Sequence, residues 1–192
     1  MIGFFIKKAF FDGWDNLITL VILNLGYLVV LGTFYGAVEL FQVSTGLAIL
    51  VAIIALALNS LYTGVICYQS HSFVHGRKVG FSHFKEGLGV MAKHAALHLL
   101  FSVVIVTIVI FVIPFYLSYG SIGTFILAVI LFWVVLIGLL AMLYYYPLSI
   151  QMPQDAPLKT LKKSFIIVAD NIGFSIFFGI YQIVVFILSI FF

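Results

Sequence analysis

Apolar residues fall into five long stretches, roughly 17–40, 46–68, 95–117, 124–146 and 172–192, and most polar residues lie between them. Each stretch has about the 20 residues that an α-helix needs to cross ~30 Å of hydrocarbon. The first is interrupted only mildly, by Asn24, Gly32, Thr33 and Gly36. The pattern therefore predicts five membrane-spanning helices.

The segments between the spans are of two kinds. Glu39–Thr45 and Ser118–Gly123 are short and carry no Lys or Arg. The segments 1–15, 79–93 and 157–170 are basic, and their apolar residues recur at helical spacing. Ile2, Ile6, Ala9 and Phe10 oppose Lys7, Lys8, Asp12 and Asp15, with Trp14 near the end. Phe81, Phe84, Leu88 and Met91 follow the same period, as do Leu158, Leu161, Phe165 and Val168 opposite Lys159, Lys162, Lys163 and Asp170. Such helices suit the membrane interface, with their apolar faces in the headgroup boundary. Pro147, Pro153 and Pro157 mark a loop before the last of them, where helix continues only with difficulty.

The basic segments also resemble one another. Aligning Lys162 with Lys7 and Lys85 brings Leu161 onto Ile6 and Phe84, Phe165 onto Phe10 and Leu88, and Asn171 onto Asn16 and His94. The spacing from Lys to Asn or His is nine in each copy, and each copy leads into an apolar run. The expected fold is all-α: one polytopic transmembrane bundle over residues 1–192, with about five spans and three amphipathic interfacial helices in a threefold internal repeat.

Composition agrees with that class. The chain is 65% hydrophobic and 8% charged, with mean hydropathy +1.30, too little polar surface to cover a water-soluble domain. A net charge of +3 does not indicate nucleic acid here, because no basic patch is interleaved with loop aromatics. The nine cations instead act as topology signals. All lie at 7–8, 77–93 and 159–163, which five spans place on one side. The positive-inside rule then puts the N-terminus in the cytoplasm of a bacterial inner membrane and the C-terminus outside. No small-residue cleavage site precedes the first span, so that span is expected to be retained. Cys67 is the single cysteine, which excludes an intramolecular disulfide.

Candidate chemistry is sparse. Asn16, His94 and Asn171, with Lys7, Lys85, Lys162 and Lys163, are the candidate lipid- or partner-binding residues, lining a cytoplasmic vestibule where the interfacial helices meet the spans. The Asp-Asn pairs at 15–16 and 170–171 also suit simple helix capping. The five histidines lie between positions 71 and 98, and two pairs have i, i+4 spacing: His71 with His75, and His94 with His98. Facing pairs of this kind offer imidazole nitrogens to a transition metal or a haem. Only Glu86 is nearby to serve as a carboxylate ligand, so no cofactor is expected as a default. The spans hold no acid except Glu39, near an outer end, which argues against proton relays and ion rings. Gly32 and Gly36 form a small-residue motif suited to close helix packing within the protomer. No nucleophile elbow, phosphate loop, His-Glu-x-x-His or Cys-x-x-Cys occurs.

Tyr144-Tyr145-Tyr146-Pro147, followed by Leu158–Asn171 with its Lys-Lys-Ser-Phe, resembles the YesL-like small bacterial membrane proteins and the membrane domain found with some glycerophosphodiester phosphodiesterases. Trp14–Asn16 and Asn24 fit the same style. The resemblance implies a bundle of five or six spans and, for the YesL-like group, an accessory role near carbohydrate uptake systems. It implies no catalytic residues.

The expected function is a non-catalytic accessory or scaffold that meets membrane lipids or a membrane-protein partner, such as a transporter, at its cytoplasmic face. A small transporter or lipid-handling protein is the alternative. A histidine-ligated metal or haem membrane enzyme is the second alternative.

Overall fold

In a computed structural model of the chain, the structure describes Lys7, Phe11 and residues 14–76 and 80–191, and among these there is no strand. The helices are α1 (Leu17–Leu40), α2 (Thr45–Val74), α3 (Phe81–Thr107), a π-helical turn (Ile108–Val112), α4 (Ile113–Ser118), α5 (Ile122–Gln151), α6 (Pro157–Asp170) and α7 (Ile172–Phe191). Among the described residues, four helices are long and apolar enough to cross a membrane: α1, α2, the run Phe81–Ser118, and α5. Residues 157–184 pass as a fifth when taken together, although they are bent by 104°. This is the architecture of a multi-pass membrane protein. The chain divides into two compact units, Met1–Leu100 and Phe101–Phe192.

The first unit is built on an α1–α2 hairpin. Leu23, Val30 and Ala37 are buried on α1, and Ala48 and Ala55 on α2, each seven residues from the next. A spacing of seven keeps one narrow seam facing the partner in left-handed, nearly antiparallel helix packing. Tyr62, seven residues beyond Ala55, closes the seam by donating its hydroxyl to the Leu23 carbonyl at 2.8 Å. Beside it Tyr27 donates to Asn59 Oδ1 at 3.2 Å, and the two tyrosine rings stack with centroids 6.2 Å apart. Gly26 makes this closure possible, because a Cβ there would lie 2.0 Å from the Tyr62 hydroxyl oxygen. Gly32 and Gly36 are not used in this way, since a Cβ at either meets nothing within 4 Å. The hairpin turns at Ser44, whose N–H bonds the Leu40 carbonyl at 2.8 Å while its own carbonyl starts α2.

At its other end α2 packs against the start of α3. A Cβ on Gly87 would sit 3.0 Å from the Tyr68 ring and 3.4 Å from Val65. Tyr62 and Phe84 are in ring contact at 6.1 Å, and His98 Nδ1 lies 2.9 Å from Ser60 Oγ. The segment expected as a separate interfacial helix over 79–93 is instead, from Phe81 on, the first half of α3, with no break at Lys93–His94. His94 is buried on the helix beside Ala95 and Met91, and neither Pro nor Gly interrupts the backbone there. Of the segment expected as helix over 1–15, most lies outside the described residues. Trp14 and Asp15 are helical, and Asn16 forms a turn before α1.

In the second unit, proline is absorbed rather than avoided. Pro114 has no N–H for the Ile110 carbonyl, and its ring crowds that carbonyl in a regular helix. The five-residue π turn just before it widens the helix, and the Ile113 N–H reaches back to the Ile108 carbonyl. The helical run therefore continues to Ser118 and turns at Gly120, whose φ of +64° suits a residue without Cβ. Pro147 does not end α5 as the sequence suggests. The helix runs on to Gln151 because Tyr145, Tyr146, Leu148 and Ser149 are all buried around the proline. Burial of these side chains offsets an internal proline, which otherwise costs about 3 kcal/mol.

The α6 helix packs by a face rotated from the expected stripe, keeping Val168 buried and Leu161 and Phe165 half-buried. Thr160, Ser164 and Val168 are buried, whereas Leu158 is 70% exposed. Small side chains at i, i+4 and i+8 let α6 approach α5, and Val168 joins Leu140 and Ala141 in a cluster flanked by Leu143, Tyr144 and Phe165. Asn171 lies outside helical geometry (φ −134°, ψ 44°) and separates α6 from α7. Next, α7 seats Ser175 at 3.1 Å from the Tyr144 hydroxyl and Gly179 against Leu140.

Gly26→Ala is expected to destabilise the protein by about 1–3 kcal/mol, because the Tyr62 ring must leave the Leu23 carbonyl to admit a methyl group. Gly32→Ala, with open space around it, should be neutral or slightly stabilising. Thermal unfolding of both variants in detergent checks this; a larger loss from Gly32→Ala would contradict the hairpin packing.

Candidate functional site

Each unit carries one cluster of polar and charged side chains at the end of its helices, and the two differ in character. In the second unit the chain leaves α5 at Gln151 and turns through residues 152–156 into α6. Asp155 sits in this turn, buried to 6% exposure, and two cations of α6 hold it. Lys159 Nζ is 2.8 Å from Oδ1, and Lys163 Nζ bonds Oδ2. Lys163 also reaches Met152 Sδ at 3.0 Å. The hydrogen bonds from Lys159 and then Lys163 hold the Asp155 carboxyl below the ordinary carboxylate range, against the opposing effect of its burial. The pairing uses i, i+4 and i, i+8 positions from one aspartate, so a single carboxylate ties the loop to the first two turns of α6.

This arrangement separates the basic residues of α6. Lys163 is committed to Asp155 and is only half exposed, whereas Lys162 points outward with no carboxylate within salt-bridge distance among the described residues. Asn171 is exposed at the bend, with its side-chain nitrogen 3.4 Å from the Ile167 carbonyl.

In the first unit, the end of α2 and the beginning of α3 carry the histidines. His71 and His75 are exposed with ring centroids 4.2 Å apart, and His75 Nδ1 lies 2.8 Å from the His71 carbonyl oxygen. Across the turn, Glu86 accepts the Tyr68 hydroxyl at 3.0 Å and faces His83 Nδ1 at 3.7 Å. Lys85 lies over the Phe81 ring, 5.2 Å from its centroid, and Phe81 itself is 74% exposed. His94 is buried, and His98 pairs with Ser60. Gln69 is also buried, and its Oε1 has no hydrogen-bond partner among the described residues.

Of the four histidines considered as metal ligands, the structure brings His71 and His75 together. Among the described residues no group of three or more His, Cys, Asp or Glu side chains could hold a metal ion. Lys7 is exposed, and Asn16 is half-buried with its carbonyl accepting the Leu20 N–H at 3.0 Å. The sequence reading missed one partnership that its own spacing carried: Asp155 with Lys159, an i, i+4 acid–base pair. The Tyr68–Glu86 bond, between residues 18 apart on different helices, left no local signal.

No family model, curated protein or solved structure matches the chain. The class it defines is that of an all-helical multi-pass membrane protein, and the reading of its role rests on its own residues.

Acid should reveal the Asp155 clamp. A carboxyl held below its unfolded value of about 3.9 contributes stability that is fully present above that pH and is lost as pH falls through the folded value. Wild type should therefore melt above Asp155→Asn by a constant margin from pH 5 to 8, and the margin should shrink below about pH 4. A margin independent of pH would show that the charge on Asp155 plays no part.

Proposed function

We propose that the protein is a non-catalytic accessory or scaffold protein of a bacterial inner membrane, with five spans, its N-terminus in the cytoplasm and its C-terminus outside. Its basic face holds anionic lipid or docks a membrane-protein partner. The observation that carries this reading is the segregation of charge. All nine cations occur at 7–8, 77–93 and 159–163, and the turns at 41–44 and 119–121 have none. With α7 as the fifth span, alternation along the chain brings every basic segment to the cytoplasmic side.

The local geometry supports a headgroup contact. Phe81 is exposed beside Lys85, a pairing suited to an aromatic ring at the acyl boundary and an ammonium beside the phosphates. On the sharp bend at Asn171, α6 presents Lys162 outward from a helix suited to the interface. The threefold pattern of Lys followed nine residues later by Asn or His then marks three places where a basic segment enters a span. Each exposed Lys near an anionic surface contributes about 1 kcal/mol, so binding is electrostatic and salt-sensitive. The likeness of Tyr144–Pro147 and Leu158–Asn171 to the YesL-like proteins is in keeping with an accessory role beside a transporter.

Lys85→Gln with Lys162→Gln should weaken retention of phosphatidylglycerol by about fivefold per lysine, relative to phosphatidylcholine, in nanodiscs of mixed composition. Lys163→Gln should instead lower thermal stability, because it leaves Asp155 with one cation. Equal retention of both lipids by wild type, with no membrane protein co-purifying, would overturn the proposal.

A further inference from the structure

The end of α2 places two imidazoles where a metal ion can use them. Position 71 is 26 residues from Thr45, about 39 Å along the helix axis, beyond the ~30 Å of hydrocarbon. Both histidines are exposed, so water and solutes reach them. The i, i+4 spacing stacks their rings on one face of the last turn, with centroids 4.2 Å apart and planes 39° apart. This is the spacing that two helical histidines use in zinc sites of the His-Glu-x-x-His type.

The backbone fixes how His75 is presented. Its Nδ1 is 2.8 Å from the His71 carbonyl oxygen, which can only accept, so Nδ1 carries the proton and donates. In the neutral ring the lone pair is then on Nε2. A backbone carbonyl that orients an imidazole in this way is the usual supporting contact of a metal-ligating histidine. The bond also ties His75, the capping residue of α2, to the residue one turn earlier.

We propose that His71 and His75 form a two-imidazole surface site for one divalent transition-metal ion, with water completing the coordination. Nitrogen-only donation disfavours Mg2+ and Ca2+, which require oxygen ligands. Among first-row ions, Cu2+ binds more tightly than Ni2+ or Zn2+. The bound ion bridges the last turn of α2 and its capping residue, and stiffens that helix end. The site is independent of lipid binding and rests on different residues.

The experiment titrates Cu2+, Ni2+ and Zn2+ into protein purified in detergent without a polyhistidine tag, with binding followed by calorimetry and by metal analysis after desalting. Wild type should take up about one equivalent, with Cu2+ tightest, and should melt at a higher temperature with metal than without. His71→Ala and His75→Ala should each weaken binding at least tenfold and abolish the metal-induced rise in melting temperature, while His83→Ala leaves both unchanged. Melting of the metal-free variants near the wild-type temperature shows that they are folded, as exposed side chains should allow. Absence of binding up to millimolar metal, or His71→Ala and His75→Ala variants that bind like wild type, overturns the assignment.

Discussion

Inside hydrocarbon every backbone N–H and C=O must find its partner within the protein, at several kcal/mol for each one left unmet, and this constraint shapes both units. It explains why the chain stays helical where its sequence offers reasons to stop. Pro114 removes a donor in the middle of an apolar run, and Ile108–Val112, ahead of it, respond by widening to a π turn. Pro147 removes another donor, and the helix closes over it because four of its neighbours are buried. Breaking either helix would leave several carbonyls without donors instead of one. The chain breaks instead where polar residues cluster, as at Gln151–Ala156 and Asn171.

Packing between spans cannot draw on a difference in polarity, since lipid is as apolar as leucine, so it depends on fit and on a few hydrogen bonds. The α1–α2 seam shows both. Alanines at 48 and 55 bring the helices close, and Tyr62 adds one bond to a backbone carbonyl opposite a glycine. In the second unit, Gly138 admits the Phe101 ring, with a would-be Cβ 3.2 Å away, and Gly179 admits Leu140. The glycines that matter are those facing a large side chain on another helix. Pairs such as Gly32 and Gly36, four apart on one helix, carry no such information by themselves.

That distinction sets what could be read from the chain in advance. Length and continuity of apolar runs suffice to identify an all-helical membrane protein with four to five candidate spans, because the thickness of the bilayer acts on each run separately. Contacts between helices depend on register, which the sequence does not display. The Gly26–Tyr62 approach and the Tyr68–Glu86 bond were therefore invisible. Asp155 was partly visible, as an acid four residues before a lysine. Its burial, which turns a weak surface pair into a clamp on two lysines, follows only from the path of the chain around the α5–α6 corner.

The repeated basic segments show the same limit from another side. At Asp170–Asn171 the backbone leaves helical geometry and the two helices meet at 104°. At the aligned pair Lys93–His94 it does not, and one helix runs from Phe81 to Thr107. A short polar side chain that competes for backbone hydrogen bonds, as Asn does, favours the break, while a buried His94 among Met91 and Ala95 favours continuation. Two copies of one charge pattern thus present their lysines on different scaffolds. Lys85 rides on the extension of a span, held over Phe81, while Lys162 stands on a short helix set at an angle to the next. A shared spacing of charge therefore does not fix the backbone geometry of the segment that carries it.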